Sequence, residues 1–161
     1  MGEYGFTIDL IEKVVSKLEA AMAEGSTLEM VETIDWGASF RPTESEDLPM
    51  LFVTPRSTRH PGVVAAGGAE GAYDDEITLL IVVYTYILED GHREALMQAS
   101  QIFDEVKKIC HVNKTWDEIV YTSELGEGED VGWGMVPWRT PADNVVYGIS
   151  APLLCKRRGQ E

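Results

Sequence analysis

The stretch from Ile77 to Leu88, Ile-Thr-Leu-Leu-Ile-Val-Val-Tyr-Thr-Tyr-Ile-Leu, constrains the fold more than any other. β-Branched and aromatic residues dominate it, which favours extended backbone. Read as a strand from about Glu76 to Leu88, it is apolar on both faces. Leu79, Ile81, Val83, Thr85 and Ile87 fall on one, and Leu80, Val82, Tyr84 and Tyr86 on the other. Such a strand is covered on both sides, or on one side by a partner chain. It is far shorter than the roughly 20 apolar residues that span a bilayer, and no other run approaches that length, so no membrane span is expected.

Two amphipathic stretches supply cover. Ile8, Ile11, Val15, Leu18 and Met22 recur at helical spacing, broadened by Leu10, Val14 and Ala21. Thr7 is the expected N-cap and Gly25 the stop. After the turn Glu89-Asp90-Gly91, a second helix carries the stripe Leu96, Ala99, Phe103, Val106 and Cys110, supported by Ile102 and Ile109. Lys107 and Lys108 sit in its last turn, where cations suit the helix dipole.

Further strands follow from period-two patterning. Thr27 to Phe40 alternates with a bend near Val31 and Glu32, and Pro49 to Val53 is a short strand ended by Pro55. Ile119 to Leu125 is another, followed by a segment of turns holding Gly126, Gly128, Gly132, Trp133, Gly134, Pro137, Trp138 and Pro141. Val145 to Cys155 alternates cleanly, and Pro152 near its end suggests an edge position or a bulge. The fold class is α+β: a single mixed or antiparallel sheet of about five strands packed with two amphipathic helices, in the order α-β-β-β-α-β-β. Leu18, Leu80, Val82, Phe103 and Val106 are expected in the core. One domain spans 1–161, with a long arm at about 54–75 that is either a surface loop or a segment ordered against a partner subunit.

Charge narrows the partners. Asp and Glu number 28 against 13 Lys and Arg, a formal net charge of −15. Tight nucleic-acid binding needs clustered cations, and an anionic membrane surface repels such a chain. The acids either keep the protein soluble, in a salty host for instance, or form a wall past which DNA moves without sticking. Met1-Gly2-Glu3-Tyr4 shows no basic segment leading into an apolar core, so no export signal is expected, and the chain is expected in a cytoplasm.

Catalytic patterns are missing from the sequence. There is no GxSxG elbow, no HExxH pair and no phosphate-binding glycine loop; Gly67-Gly68-Ala69-Glu70-Gly71 lacks the spacing. His60, His92 and His111 lie in separate segments. Cys110 and Cys155 read as reduced, buried thiols, since zinc motifs use spaced pairs. Glu124, Glu127, Glu129 and Asp130 form either a solvated loop or a cation site, without EF-hand spacing. No catalytic residue, cofactor or metal is expected. Trp116, Trp133 and Trp138 either cover a core edge or anchor an interface. For subunit or partner contact the candidates are Arg41, Arg56, Arg59, Trp133, Trp138, Lys156, Arg157 and Arg158. The basic groups among them contrast with the acids Glu29, Glu32, Asp35, Glu44, Glu46 and Asp47.

An N-terminal amphipathic helix leads to Pro49-Met50-Leu51-Phe52-Val53. An apolar strand and helix follow from Ile77 to Cys110. The last strand runs from Val146-Tyr147-Gly148-Ile149 into Lys156-Arg157-Arg158. This layout resembles the tail terminator, or tail completion, proteins of long-tailed bacteriophages and viruses, and the related head–tail joining proteins. The resemblance covers nearly the whole chain and rests on layout rather than on a motif. It implies a homo-oligomeric ring, typically six-fold, at the head-proximal end of the virion tail, assembled in the host cytoplasm. The ring caps the tail tube, meets the tail tube protein and the head-connector or neck protein, and lets DNA pass only as cargo. It implies no catalytic residues. A tube subunit or connector adaptor, and a small-molecule-binding domain or enzyme around Trp116–Trp138, remain open beside it.

Overall fold

In the computed structural model, residues 5–23, 25–38, 48–59, 74–87, 91–139 and 145–158 are described; the side chains of 58, 59, 74, 86, 87, 92, 135–139, 145 and 158 are not. The fold is α+β, and the described residues form helices α1 (Phe6–Ala20) and α2 (His92–Val112) and six strands. The strands are β1 (Thr33–Trp36), β2 (Met50–Arg59), β3 (Asp74–Ile87), β4 (Thr122–Leu125), β5 (Gly132–Arg139) and β6 (Val145–Arg158). The sheet is ordered β1-β2-β3-β6, with β4 and β5 sharing the far edge of β6. Among the described residues only the β1–β2 pair is parallel.

Both helices cover one face of this sheet. From α1, Leu10, Ile11, Val14, Val15 and Leu18 are buried; from α2, Ala99, Ile102, Phe103, Val106 and Cys110. They meet Leu51 and Val53 of β2, Ile77, Leu79, Ile81 and Val83 of β3, and Ile149, Ala151, Leu153 and Cys155 of β6. Thr85 shares that face, and its hydroxyl donates to the Ala95 carbonyl at 3.2 Å, fixing where α2 begins over the sheet. The opposite face has its own small cluster of Leu48, Met50, Phe52 and Val146 with Tyr84 against it. The long β3 strand is therefore apolar on both faces, but its second face is only partly buried: Val82 is buried and Leu80 is half-exposed. Leu80 thus departs from the expected core.

Several expected boundaries shift. Helix α1 starts at Phe6 with Gly5 at the N-cap, so Thr7 is inside it, and it ends at Ala20, five residues before Gly25. The strand expected from Thr27 shrinks to Thr33–Trp36, because residues 26–30 close turns on the end of α1, with the Leu28 N–H donating to the Ala21 carbonyl at 2.8 Å. Pro55 does not end β2. The register slips between Pro55 and Ser57, and this bulge lets the strand continue to Arg59. Residues 54–59 and 74–75 of the expected arm are thus strand, and 60–73 lie outside the described residues. In α2 the buried stripe opens at Ala95, leaving Leu96 41% exposed. The strand expected at Ile119 starts at Thr122, since residues 113–120 form a tight turn.

The segment read as turns contains the sixth strand, β5, despite its glycines and prolines. β4 and β5 are two halves of one edge strand. Leu125 pairs with Leu153, the Gly126 N–H donates to the Pro152 carbonyl at 2.7 Å, and pairing resumes at Gly132 with Ser150. Residues 127–131 leave the sheet between them. This explains Pro152, which lies in an interior strand rather than at the expected edge or bulge. A residue in an antiparallel ladder points its N and its C=O to the same neighbour. The Pro152 carbonyl points to Gly126, so its missing N–H falls at the interruption and costs no bond to β3. Gly126 is required there: a Cβ would sit 2.8 Å from Pro152 Cγ.

Candidate assembly surface

The basic end of β6 is matched within the fold. Register sets Asp74, Asp75 and Glu76 of β3 opposite Arg158, Arg157 and Lys156. Arg157 Nε donates to Asp75 Oδ2 at 3.1 Å, Asp75 being 4% exposed, and the guanidinium stacks 3.9 Å from the Phe6 ring centroid. Lys156 Nζ stands 3.9 Å from Glu76 Oε1 on the other face. Arg157 is therefore committed to holding α1 against the end of the sheet, where a cation over an aromatic ring is favourable. Of the remaining candidates, Arg56 is exposed at the β2 bulge. Arg59 pairs with Glu76 at the end of β2, and Trp138 lies in β5. The side chains of Arg59, Trp138 and Arg158 lie outside the described residues, as does all of Arg41.

The tryptophans separate. Trp116 is fully buried, its Nε1 donating to Ser123 Oγ at 3.0 Å, while Ser123 Oγ donates to the Lys114 carbonyl at 2.8 Å. It is a core anchor. It opens a run of left-handed residues, Trp116, Asp117 and Glu118, with φ of 46°, 57° and 70°. Asp117 ties the same turn to α1 through Lys17 at 3.2 Å and Lys13 at 3.4 Å. Those two ammonium groups, by hydrogen bonding first from Lys17 and then from Lys13, hold its carboxyl below the usual aspartate range.

Trp133 is 52% exposed, and Trp36, which the sequence places on the apolar face of its strand and not among the contact candidates, is 37% exposed. Trp36 pairs with Val53 and Trp133 with Ile149, and both partners point to the helix-covered face. So the two outer strands each carry an exposed tryptophan on the same side of the sheet. Leu96 and Met97, on the outer surface of α2, add to this side. Trp133 borders a cleft of about 380 Å³ with Phe103, Asp104, Lys107 and Val131.

The polar clusters give no reactive arrangement among the described residues. Glu124, Glu127, Glu129 and Asp130 are exposed around the 127–131 excursion, and no three His, Cys, Asp or Glu side chains come together there or elsewhere as ligands. His111 shares a cleft of about 230 Å³ with Lys107, Cys110, Lys114 and Glu124. Burial pushes the Cys110 thiol up to about 12, and burial followed by the Cys110 charge does the same to Cys155, so neither supplies a thiolate. His60 and the His92 side chain lie outside the described residues. No helix is long and apolar enough to cross a membrane among the described residues.

A scan against protein-family models and a search of the curated proteins both find no match to this chain.

Proposed function

We propose that this chain is a structural virion protein that assembles into a closed ring, caps the tail tube and joins the tail to the head connector. The observation that carries the reading is the set of large apolar side chains left exposed on one side of a molecule with net charge −15. Trp36, Leu96, Met97 and Trp133 all lie on the helix side. Single exposed hydrophobes are ordinary, but several on one side fit a surface that a partner covers. The layout of helix, strands, helix and strands supports it, since it is the layout on which the resemblance to tail terminator proteins rests. The acidity suits a channel through which DNA passes without adhering. In this reading the protein performs no chemistry, and its work is shape and self-limitation.

A heterologous contact closes into a ring only when its rotation is right, and otherwise it grows into a filament. Electron microscopy of the purified protein, alone and with tail tubes, therefore separates a terminator from a tube subunit. Rings that stop are expected; open-ended tubes would favour the subunit. The decisive arm is a virus lacking this protein, which is expected to build heads together with overlong or unjoined tails. Normal joined particles in its absence reject the proposal.

A further inference from the structure

We infer that copies of this chain join by extending the sheet, with β1 of one copy pairing antiparallel to β5 of the next so that Trp36 faces Trp133. The inference rests on the self-assembling part of the proposed function. Among the described residues no strand pairs with the outer edge of β1 or of β5, and the Trp36 N–H is met only by the Asp35 carboxylate at 2.8 Å, which a pairing strand would displace. An unpaired edge presents a row of backbone donors and acceptors to another chain.

Direction and face agree. β1 runs parallel to β2, β2 and β6 both run antiparallel to β3, and β5 runs antiparallel to β6. The two edges therefore point in opposite directions, and a head-to-tail neighbour meets antiparallel with its helices on the same side. Opposed residues of an antiparallel pair share a face. Trp36 and Trp133 share the helix face, so they satisfy this rule when placed opposite each other. That register sets Ile34 against Met135 and Asp35 against Gly134. A two-fold β5–β5 contact would leave Trp36 uncovered.

The test uses Trp36→Cys and Trp133→Cys in the full chain. Cys110 and Cys155 are buried and give no background. Direct cross-strand neighbours lie within disulfide reach or close to it. Oxidising a 1:1 mixture at about 1 mM is expected to give a covalent dimer containing one of each variant. A second pair of variants reads the register. Nothing lies within 4 Å of a Cβ added at Gly134, so Gly134→Asp leaves the fold intact, as circular dichroism will show. It sets a carboxylate against Asp35 and is expected to weaken association at least about tenfold. Asp35→Lys in the same chain is expected to restore it. If wild-type rings form but only like variants cross-link, or none do, the edge assignment is overturned and the ring reading stands. If the wild type shows no association by sedimentation at the same concentration, alone or with tail tubes, the self-assembly reading falls and the edge pairing with it.

Discussion

Replacing Ser123 by Ala tests how the turn at residues 113–120 is held. Left-handed backbone costs about 1–2 kcal/mol per non-glycine residue, and here three such residues follow one another. Something must hold them, and the buried anchor is the chain from Trp116 Nε1 to Ser123 Oγ to the Lys114 carbonyl. Ser123→Ala removes one acceptor and one donor, leaving a buried indole N–H and a carbonyl without their partner. At about 1–3 kcal/mol for a buried group left unsatisfied, the expected loss is about 2–3 kcal/mol. For a chain of this size that lowers Tm by roughly 4–12 °C. Trp116→Phe keeps most of the apolar contact and deletes the indole donor, at a cost of about 1–2.5 kcal/mol. In the double variant the N–H that Ser123 satisfied is gone. The two losses should then fall short of additivity by about 1 kcal/mol in a urea-unfolding cycle. A Ser123→Ala cost under about 0.5 kcal/mol, or additivity within about 0.3 kcal/mol, refutes the anchor.

Phe103→Ala, at a buried position of α2, should cost about 3–5 kcal/mol in chemical denaturation, whereas Leu96→Ala on the exposed surface should change stability by less than about 0.5 kcal/mol. Asp117 contributes stability that is complete above the ordinary aspartate range, near pH 4, because its folded pKa is depressed. That contribution is lost as pH falls through the lower folded value, so the stability difference between wild type and Asp117→Asn should shrink on acidification below that range. Native Cys110 and Cys155 should resist alkylation at pH 8 and react only as the chain unfolds, which mass spectrometry on a urea series reads directly.

The elements with strong period were legible in the sequence, and those built by exceptions were not. Ile77 to Ile87 declares itself by its β-branched and aromatic content, Val145 to Cys155 by alternation, and both helices by their stripes. β5 was hidden because Gly132, Gly134 and Pro137 carry turn signals, while its pairing to β6 comes from residues 6 to 18 positions later in the chain. Pro152 pointed to an edge for a sound local reason, and only the interruption between β4 and β5 makes an interior proline free of cost. The basic triplet at 156–158 read as a partner surface because its acidic complement at 74–76 lies far away in sequence. An antiparallel β3–β6 register would have exposed the match. Trp36 sat inside a strand expected to be much longer, so its place on an outer strand was not visible.

Net charge decides how assembly of this chain must respond to salt. A globule of 161 residues has a radius of roughly 20 Å, so touching copies sit about 40 Å centre to centre. Two charges of −15 at that separation repel by about 23 kcal/mol in unscreened water. With a Debye length of about 8 Å, finite-size screening reduces this to on the order of 1 kcal/mol, while at 0.01 M salt several kcal/mol remain. An exposed pair of opposite charges at the contact contributes only about 0–1 kcal/mol and weakens with salt. Global repulsion therefore outweighs local attraction in the salt response. Sedimentation should show association strengthening as salt rises from about 0.01 to 0.15 M. Association that weakens over that range would mean that unlike charges, rather than apolar edges, supply the contact.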